Sequence, residues 1–343
     1  MKILSIDTSC DETSVAITKG TKVISNIIWS QASQHASFGG VVPSLAQRLH
    51  KERIDWVINK ALGQKYKNLK GIDVIAVTQG PGLAIALEVG ISKAKELAVK
   101  YNKPLIPVNH IEGHLLSSLA TRSTNNKSNI IFPAFGLVVS GGNTQLVLIE
   151  KIGKYKVLAQ TVDDALGEAL DKGARLLGLG YPGGAILESF ARVGNPKAYS
   201  LPVPLLDDKI RNRFSYSGLK TAMFRLIEKE KPLTKEKIHN LAASFQSVAF
   251  KHVENVLPYH INHLPLTINH LLLGGGVANN NQLRKSLRKL LKSYGIILRV
   301  PYSKKLCGDN AAMIGIVAYL KNKNTKNLNA KLEDIDRVPN AKV

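Results

Sequence analysis

Phe135-Gly136-Leu137-Val138-Val139-Ser140-Gly141-Gly142-Asn143-Thr144-Gln145-Leu146-Val147-Leu148-Ile149-Glu150 is an apolar run, a Gly-Gly turn and a second apolar run. The pattern predicts a strand over 135–140, a tight turn at Gly141-Gly142-Asn143 and a strand over 144–150. A third strand follows at 155–161, and a helix over 163–177 with Asp163 or Asp164 as its N-cap.

The stretch decides the fold because it repeats an earlier order. Strands are predicted at 2–6, 14–18 and 23–29, the first two joined by the polar turn Thr8-Ser9-Cys10-Asp11-Glu12. Next comes a helix over 44–62, where Leu45, Leu49, Ile54, Val57, Ile58 and Leu62 recur near helical spacing. A strand at 72–78, a helix at 84–99 behind the Gln79-Gly80-Pro81-Gly82 turn and a strand at 105–108 complete the first set. Residues 121–129 are polar and read as a loop. After the restart come helices at 218–229 and 236–257 and a strand at 270–273 running into Gly274-Gly275-Gly276. A basic helix at 280–291, a strand at 296–300 and a helix at 311–320 close the chain, and Tyr181-Pro182-Gly183-Gly184 reads as a loop.

This predicts a duplicated α/β unit: a first lobe of residues 1–109 plus the C-terminal region 310–343, and a second of 110–309 holding most of the nucleotide and metal site. The organisation resembles the actin, Hsp70 and sugar-kinase superfamily, whose ribonuclease H-like lobes hold a nucleotide between them. Fold alone does not assign an activity.

At 343 residues the chain is long enough for two such lobes. No apolar run reaches the ~18 residues of a membrane span. The N-terminal stretch meets Asp7 too early for a signal peptide. Two cysteines, Cys10 and Cys307, form no disulfide framework, so a cytoplasmic location is expected. The formal charge of +22 points to a polyanionic partner, nucleic acid before a membrane surface, because no basic amphipathic anchor stands out. The competing explanation is lysine enrichment alongside the many Asn and Ile residues.

His110-Ile111-Glu112-Gly113-His114 follows the strand at 105–108. On a helix, residues i and i+4 lie about 40° apart, so both imidazoles share a face and could hold one metal with a third ligand. A zincin requires Glu directly after the first histidine; Ile111 stands there, and Glu112 lies about 200° from His110, which argues against a metallopeptidase. Asp309, between Gly308 and a helix, is either an N-cap or the carboxylate completing a two-His, one-carboxylate site. Gly141 and Gly142 let backbone N–H groups approach a phosphate. Asp7, Asp11 and Glu12 are either solvated or order water or metal beside it. Asp171, on the helix after the third strand, and Glu188 suit ribose hydroxyls. Gly274-Gly275-Gly276 with Asn280 at a helix start suits a nucleotide over a helix N-terminus.

Asp11-Glu12, His110-xxx-His114, Ser140-Gly141-Gly142, Asp171-Lys172, Tyr181-Pro182-Gly183-Gly184, Phe214-Ser215-Tyr216-Ser217-Gly218-Leu219-Lys220, Gly275-Gly276-Val277 and Gly308-Asp309-Asn310-Ala311-Ala312 appear in one order. Together they resemble the tRNA N6-adenosine threonylcarbamoyltransferase family, in its bacterial branch, over residues from about Ile3 to Gly315. The resemblance implies transfer of threonylcarbamoyl from threonylcarbamoyl-AMP to N6 of adenosine 37, with release of AMP, in tRNAs reading codons that begin with A. It implies one divalent metal, Fe(II) before Zn(II), on His110, His114 and Asp309. Donor contacts fall on Val138, Val139, Ser140, Gly141, Gly142, Asp171, Gly184, Glu188 and Asn280. It also implies as partners tRNA, a threonylcarbamoyl-AMP synthase, a smaller non-catalytic paralogue forming a heterodimer, and a P-loop ATPase. Asn143 stands where the family usually has His, and Asp7 where bacterial relatives often have Glu. Asp11 or Glu12 is the candidate to orient the attacking amine or take its proton, from position alone. The alternatives are a sugar-kinase-like or ATPase member of the same fold, and a non-catalytic scaffold.

Overall fold

The computed structural model describes residues 1–123, 130–204, 212–264, 266–324 and 331–343. Residues 124–129 of the expected polar loop lie outside them. Two compact units result, one of Met1–Ile130, Lys151–Lys154 and Val300–Val343, the other of Ile131–Glu150 and Tyr155–Arg299.

The first unit contains strands β1 (Lys2–Asp7), β2 (Glu12–Lys19), β3 (Lys22–Ser30), β4 (Val74–Gly80) and β5 (Leu105–Asn109), in the sheet order β3-β2-β1-β4-β5. Its helices include α1 (Ala32–His35), α2 (Pro43–Leu62), α3 (Ala84–Lys100) and α4 (His110–Leu116). The period-2 alternation of a strand assigns the faces. Leu4 and Ile6 of β1 join Ile54, Val57 and Ile58 of α2 and Leu87 and Ile91 of α3 in one buried cluster. Fully burying such a side chain contributes about 1.5–3 kcal/mol.

The second unit contains β6 (Ala134–Val139), β7 (Thr144–Lys151), β8 (Lys154–Thr161), β9 (Arg213–Phe214), β10 (His270–Gly274) and β11 (Ile297–Arg299), in the order β11-β10-β6-β7-β8-β9. Every residue of β6 is buried, which explains its unbroken apolar run. Read as β8-β7-β6-β10-β11, the sheet repeats the first one strand for strand. The central strand is antiparallel to the next in sequence (β1 with β2, β6 with β7) and parallel to the one beyond the helices (β1 with β4, β6 with β10). The duplicated actin-like α/β fold expected from the sequence is the fold observed. The helices are α5 (Leu166–Leu176), α6 (Gly183–Ala191), α7 (Ser217–Glu230), α8 (Lys235–His263) and α9 (Asn281–Lys292).

The last helix, α10 (Ala311–Asn324), returns to the first unit and covers the other face of its sheet. Ser5, the alternate residue between Leu4 and Ile6, donates its hydroxyl to the Ala311 carbonyl at 2.6 Å. A Cβ on Gly315 would lie 2.7 Å from Thr18 Oγ1 and 3.0 Å from Ser5 Oγ, so this close approach of helix to strand requires glycine.

Four expectations are corrected. The lobe boundaries fall near residues 130 and 300 rather than 109 and 309, so His110, His114 and Asp309 lie in the first unit. The reason is packing: a Cβ on Gly113 of α4 would stand 3.0 Å from Met313 of α10, so the two helices share one core. Helix α5 starts at Leu166, with neither Asp163 nor Asp164 as its cap. The Asp163 carboxylate instead accepts from the Tyr216 N–H at 2.8 Å and the Ser217 hydroxyl at 2.7 Å, while Asp164 pairs with Lys172 at 2.6 Å. Gly183 and Gly184 open α6 rather than ending a loop. Helix α8 continues through Pro258 to His263, held on both sides by buried Leu257 and His260.

Candidate active site

In the first unit, Asn109 caps α4: its Oδ1 accepts from the N–H groups of Ile111 (2.8 Å) and Glu112 (3.1 Å). The cap starts the helix at His110, and the i, i+4 spacing brings the two imidazoles together, ring centroids 4.7 Å apart and nearly perpendicular. Glu112 leaves on the opposite side and pairs with Lys321 at 2.6 Å. Asn310 caps α10, accepting from the Met313 N–H at 3.2 Å. That leaves Asp309 free of capping duty, and its Oδ1 lies 3.1 Å from His114 Nε2 and 3.4 Å from His110 Nε2.

The ligand atoms of His110, His114 and Asp309 all lie within 4.8 Å of one another. His114 Nδ1 and Asp7 Oδ2 are buried without a hydrogen-bond partner among the described residues. Two imidazoles and a carboxylate gathered in a buried pocket are a donor set that fits a divalent metal. Burial would lower the pKa of His110, but the Asp309 and Asp7 carboxylates hold it up at about 10. Burial would raise Asp309, yet His110 and His114 hold it below the usual carboxylate range.

Asp11 and Glu12 sit beside this cluster. Burial, then the Asp11 and Asp309 charges, raise the Glu12 carboxyl well above its ordinary value, against one stabilising bond from Ser30 Oγ at 3.1 Å. Burial and the same carboxylates raise the Cys10 thiol. Beneath the turn lies His50, fully buried. Its Nε2 donates to the Cys10 carbonyl at 2.9 Å, so Nδ1 is the acceptor for Thr13 Oγ1 at 2.8 Å. Burial lowers its pKa, consistent with a neutral ring. Sequence reading missed His50, which there is one more polar residue on the helix at 44–62.

In the second unit a cavity of about 290 Å³ is lined by Gly141, Gly167, Asp171, Gly184, Glu188 and Asn280, among others. Asp171 Oδ1 accepts the Gly184 N–H at 2.6 Å, joining α5 to the start of α6. Glu188 accepts the Asn281 N–H at 3.0 Å, joining α6 to α9. Asn280 caps α9 through the N–H groups of Gln282 (2.9 Å) and Leu283 (3.2 Å), and its amide donates to Gln246 at 2.8 Å. Five of the nine expected donor contacts therefore line one cavity. Val138 and Val139 are fully buried in β6, Ser140 holds the turn by bonding with Asn143, and Gly142 does not line the cavity. Asn143 takes part through its backbone, its carbonyl accepting the Ser140 N–H at 2.8 Å.

Gly167 was missed. It donates its N–H to the Ser140 carbonyl at 3.1 Å, and a Cβ there would come within 2.5 Å of that oxygen. Its position four residues before Asp171 places it on the same helix face, a signal present in the sequence. A Cβ on Gly141, by contrast, would meet nothing within 4 Å, and Gly141 and Gly142 are both exposed.

Comparison with known proteins gives a consistent result. The profile of the TsaD family, described as tRNA N6-adenosine threonylcarbamoyltransferase, matches residues 22–316. The protein of that name from Trichlorobacter lovleyi is 45% identical over 328 residues, covering 93% of this chain and 92% of its own. The one from Thermosipho melanesiensis is 45% identical over 342 residues, 99% of each chain. Among solved structures, HypF from T. kodakarensis superposes with a TM-score of 0.63 at 15% identity, over 96% of this chain and 49% of that one. Full-length HypF in a phosphate- and nucleotide-bound form gives 0.58 at 15% identity, over 94% and 56%. The chain thus spans about half of those structures, and at that identity they bear on fold alone.

Proposed function

This chain belongs to the tRNA N6-adenosine threonylcarbamoyltransferase family, and from that premise we propose how its residues carry the reaction. The chain transfers threonylcarbamoyl from threonylcarbamoyl-AMP to N6 of adenosine 37 in tRNAs reading codons that begin with A, releasing AMP. The observation that carries this is the 45% identity with a transferase of that name over 99% of both chains.

The chemistry sets the requirements. An exocyclic aromatic amine is a weak nucleophile, so the acyl group must arrive on a good leaving group. N6 attacks the carbamoyl carbon, a C–N bond forms, the bond from that carbon to the phosphate oxygen breaks, and AMP leaves with the electron pair while N6 gives up a proton. We assign AMP to the cavity lined by Gly141, Asp171, Gly184, Glu188 and Asn280. The exposed turn Gly141-Gly142, whose first residue lines the cavity, supplies N–H donors to the phosphate, and Asp171 accepts from ribose hydroxyls. Val138, Val139 and Ser140 hold that turn from the end of β6. A divalent metal on His110, His114 and Asp309 would supply Lewis-acid polarisation of the transferred group. Fe(II) and Zn(II) both suit that donor set, with Fe(II) favoured. Glu12, whose carboxyl burial and the neighbouring Asp11 and Asp309 charges raise well above its ordinary value, is a stronger base than a solvated carboxylate and suits proton acceptance from N6, with Asp11 orienting the amine.

The charge of +22 fits tRNA as the substrate. Among the described residues no helix is long and apolar enough to cross a membrane, and neither Cys10 nor Cys307 is in a disulfide. We therefore place the reaction in the cytoplasm. Its other partners are a threonylcarbamoyl-AMP synthase, a smaller paralogue of the same fold and a P-loop ATPase. The test is transfer of labelled threonylcarbamoyl from its adenylate to tRNA, adding and omitting the accessory proteins in turn. No transfer in the complete mixture would overturn the reading.

A further inference from the structure

Residues 255–308 contain eight Lys or Arg and no Asp or Glu. At the chain's average of 25 acidic residues in 343, a stretch of 54 would carry about four. The fold concentrates five of the eight cations on α9. At 100° per residue, Arg284, Lys285, Arg288, Lys289 and Lys292 fall within an arc of about 140°. Leu283, Leu287 and Leu291 occupy the neighbouring arc and are fully buried.

Lys285, Arg288, Lys289 and Lys292 are exposed, and among the described residues no carboxylate lies within ion-pair distance of them. Some cations on other helices are paired, as Arg48 is with Glu52 on α2 and Lys251 with Glu254 on α8. Arg284 turns inward to the Ala278 carbonyl and Asn279. Beside this face runs β11, the edge strand of the sheet, with Arg299 exposed. A groove of about 410 Å³ lies between them, with Arg288 and Lys292 in its wall.

We propose that the exposed face of α9, with edge strand β11, is the docking surface for the phosphate backbone of the tRNA substrate. The inference rests on the proposed function for the identity of the polyanion. Charge complementarity selects the occupant: a ladder of unpaired cations with no interspersed carboxylate neutralises successive phosphates. An anionic membrane fits less well, because an interfacial helix inserts its apolar face, and the apolar face of α9 is already spent on the core.

The test is tRNA binding in the absence of donor, measured across a salt series. The variant carrying Lys285→Gln, Arg288→Gln, Lys289→Gln and Lys292→Gln is expected to raise Kd at least about tenfold at ~0.1 M salt, with the slope of log Kd against log salt shallower by about three. Replacing Lys285, Lys289 and Lys292 by Arg keeps the charge and the affinity. Changing Lys60, Lys65, Lys67 and Lys70 to Gln, an equal charge removed elsewhere, leaves Kd within about twofold. The proposal is overturned if the α9 variant binds tRNA as the parent does, or if the variant in the first unit loses as much. It is also overturned if the α9 variant loses binding to phosphatidylserine vesicles while keeping tRNA. Failure of the transfer assay with tRNA binding intact would strike the functional reading and leave the surface standing.

Discussion

Asn109 spends both ends of its amide: while Oδ1 caps the helix of the two histidines, Nδ2 donates to the main-chain carbonyl of Lys342, 2.9 Å away and 233 residues later in the chain. The tail that brings Lys342 there is fastened along the end of β4, Val338 N–H to the Gln79 carbonyl at 2.8 Å and Gly82 N–H to the Pro339 carbonyl at 3.1 Å. The C-terminal residues thus brace the start of α4.

Asn109→Asp keeps the capping oxygen and loses the donor, whereas Asn109→Ala loses both. The expected order of metal affinity is parent, then Asp, then Ala, with the Ala variant about tenfold weaker, as for other residues that orient ligands. Loss of the cap should also lower stability by about 1 kcal/mol. Titration of Zn(II) into the apoprotein and a denaturant melt measure the two effects. Equal metal affinity in all three proteins would show that the brace does not reach the histidines.

His110→Ala with His114→Ala removes two of three ligands from a formed pocket. Metal content should fall to background, and transfer by at least about 100-fold, while the cavity in the second unit still binds AMP. Metal analysis and AMP titration on one preparation check this. Loss of AMP binding together with the metal would point to unfolding instead.

Gly167→Ala and Gly141→Ala make an opposed pair. The first puts a methyl group 2.5 Å from the Ser140 carbonyl and should cost about 1–3 kcal/mol through displacement of the turn, with weaker AMP binding. The second meets open space and should leave the melting temperature unchanged. A reversed order would mean that the turn tolerates movement and α5 does not anchor it.

Asp163 supplies a pH dependence. Burial would raise its pKa, but bonds from Ser215, Tyr216 and Ser217 hold it below the ordinary carboxylate value. A depressed folded pKa stabilises the fold above the unfolded pKa, and that contribution is lost as pH falls from there through the folded value. Acid melts should therefore show the parent losing stability over that window and Asp163→Asn losing less, from a lower starting point at neutral pH. Parallel curves would remove Asp163 as the tether between the start of α7 and the segment before α5.

Much of this was legible in the order of residues. Period-2 and period-3.6 apolar patterns are local, so the strands, most helices and the restart at Phe135 could be placed within a few residues. The His110/His114 pair was legible because four residues span little more than one helical turn. The start of α5 was misplaced because Asp163 looked like a free capping residue, and its real partners come 52 to 54 residues later. Likewise Tyr181-Pro182-Gly183-Gly184 carried turn residues, yet α6 begins inside it, where the Gly184 N–H finds Asp171.

By itself the sequence determined the duplicated α/β plan, the paired imidazoles on one helix face and the excess of positive charge, since each follows from spacing or composition. Only the tertiary structure decided that Asp309 turns to the histidines while Asn310 takes the cap, that His50 supports the Cys10 carbonyl, and that Lys285, Arg288, Lys289 and Lys292 of α9 stand without counter-ions among the described residues. Those relationships join residues far apart in the chain, and packing and hydrogen-bond satisfaction across such distances are set by the folded backbone rather than by any local pattern.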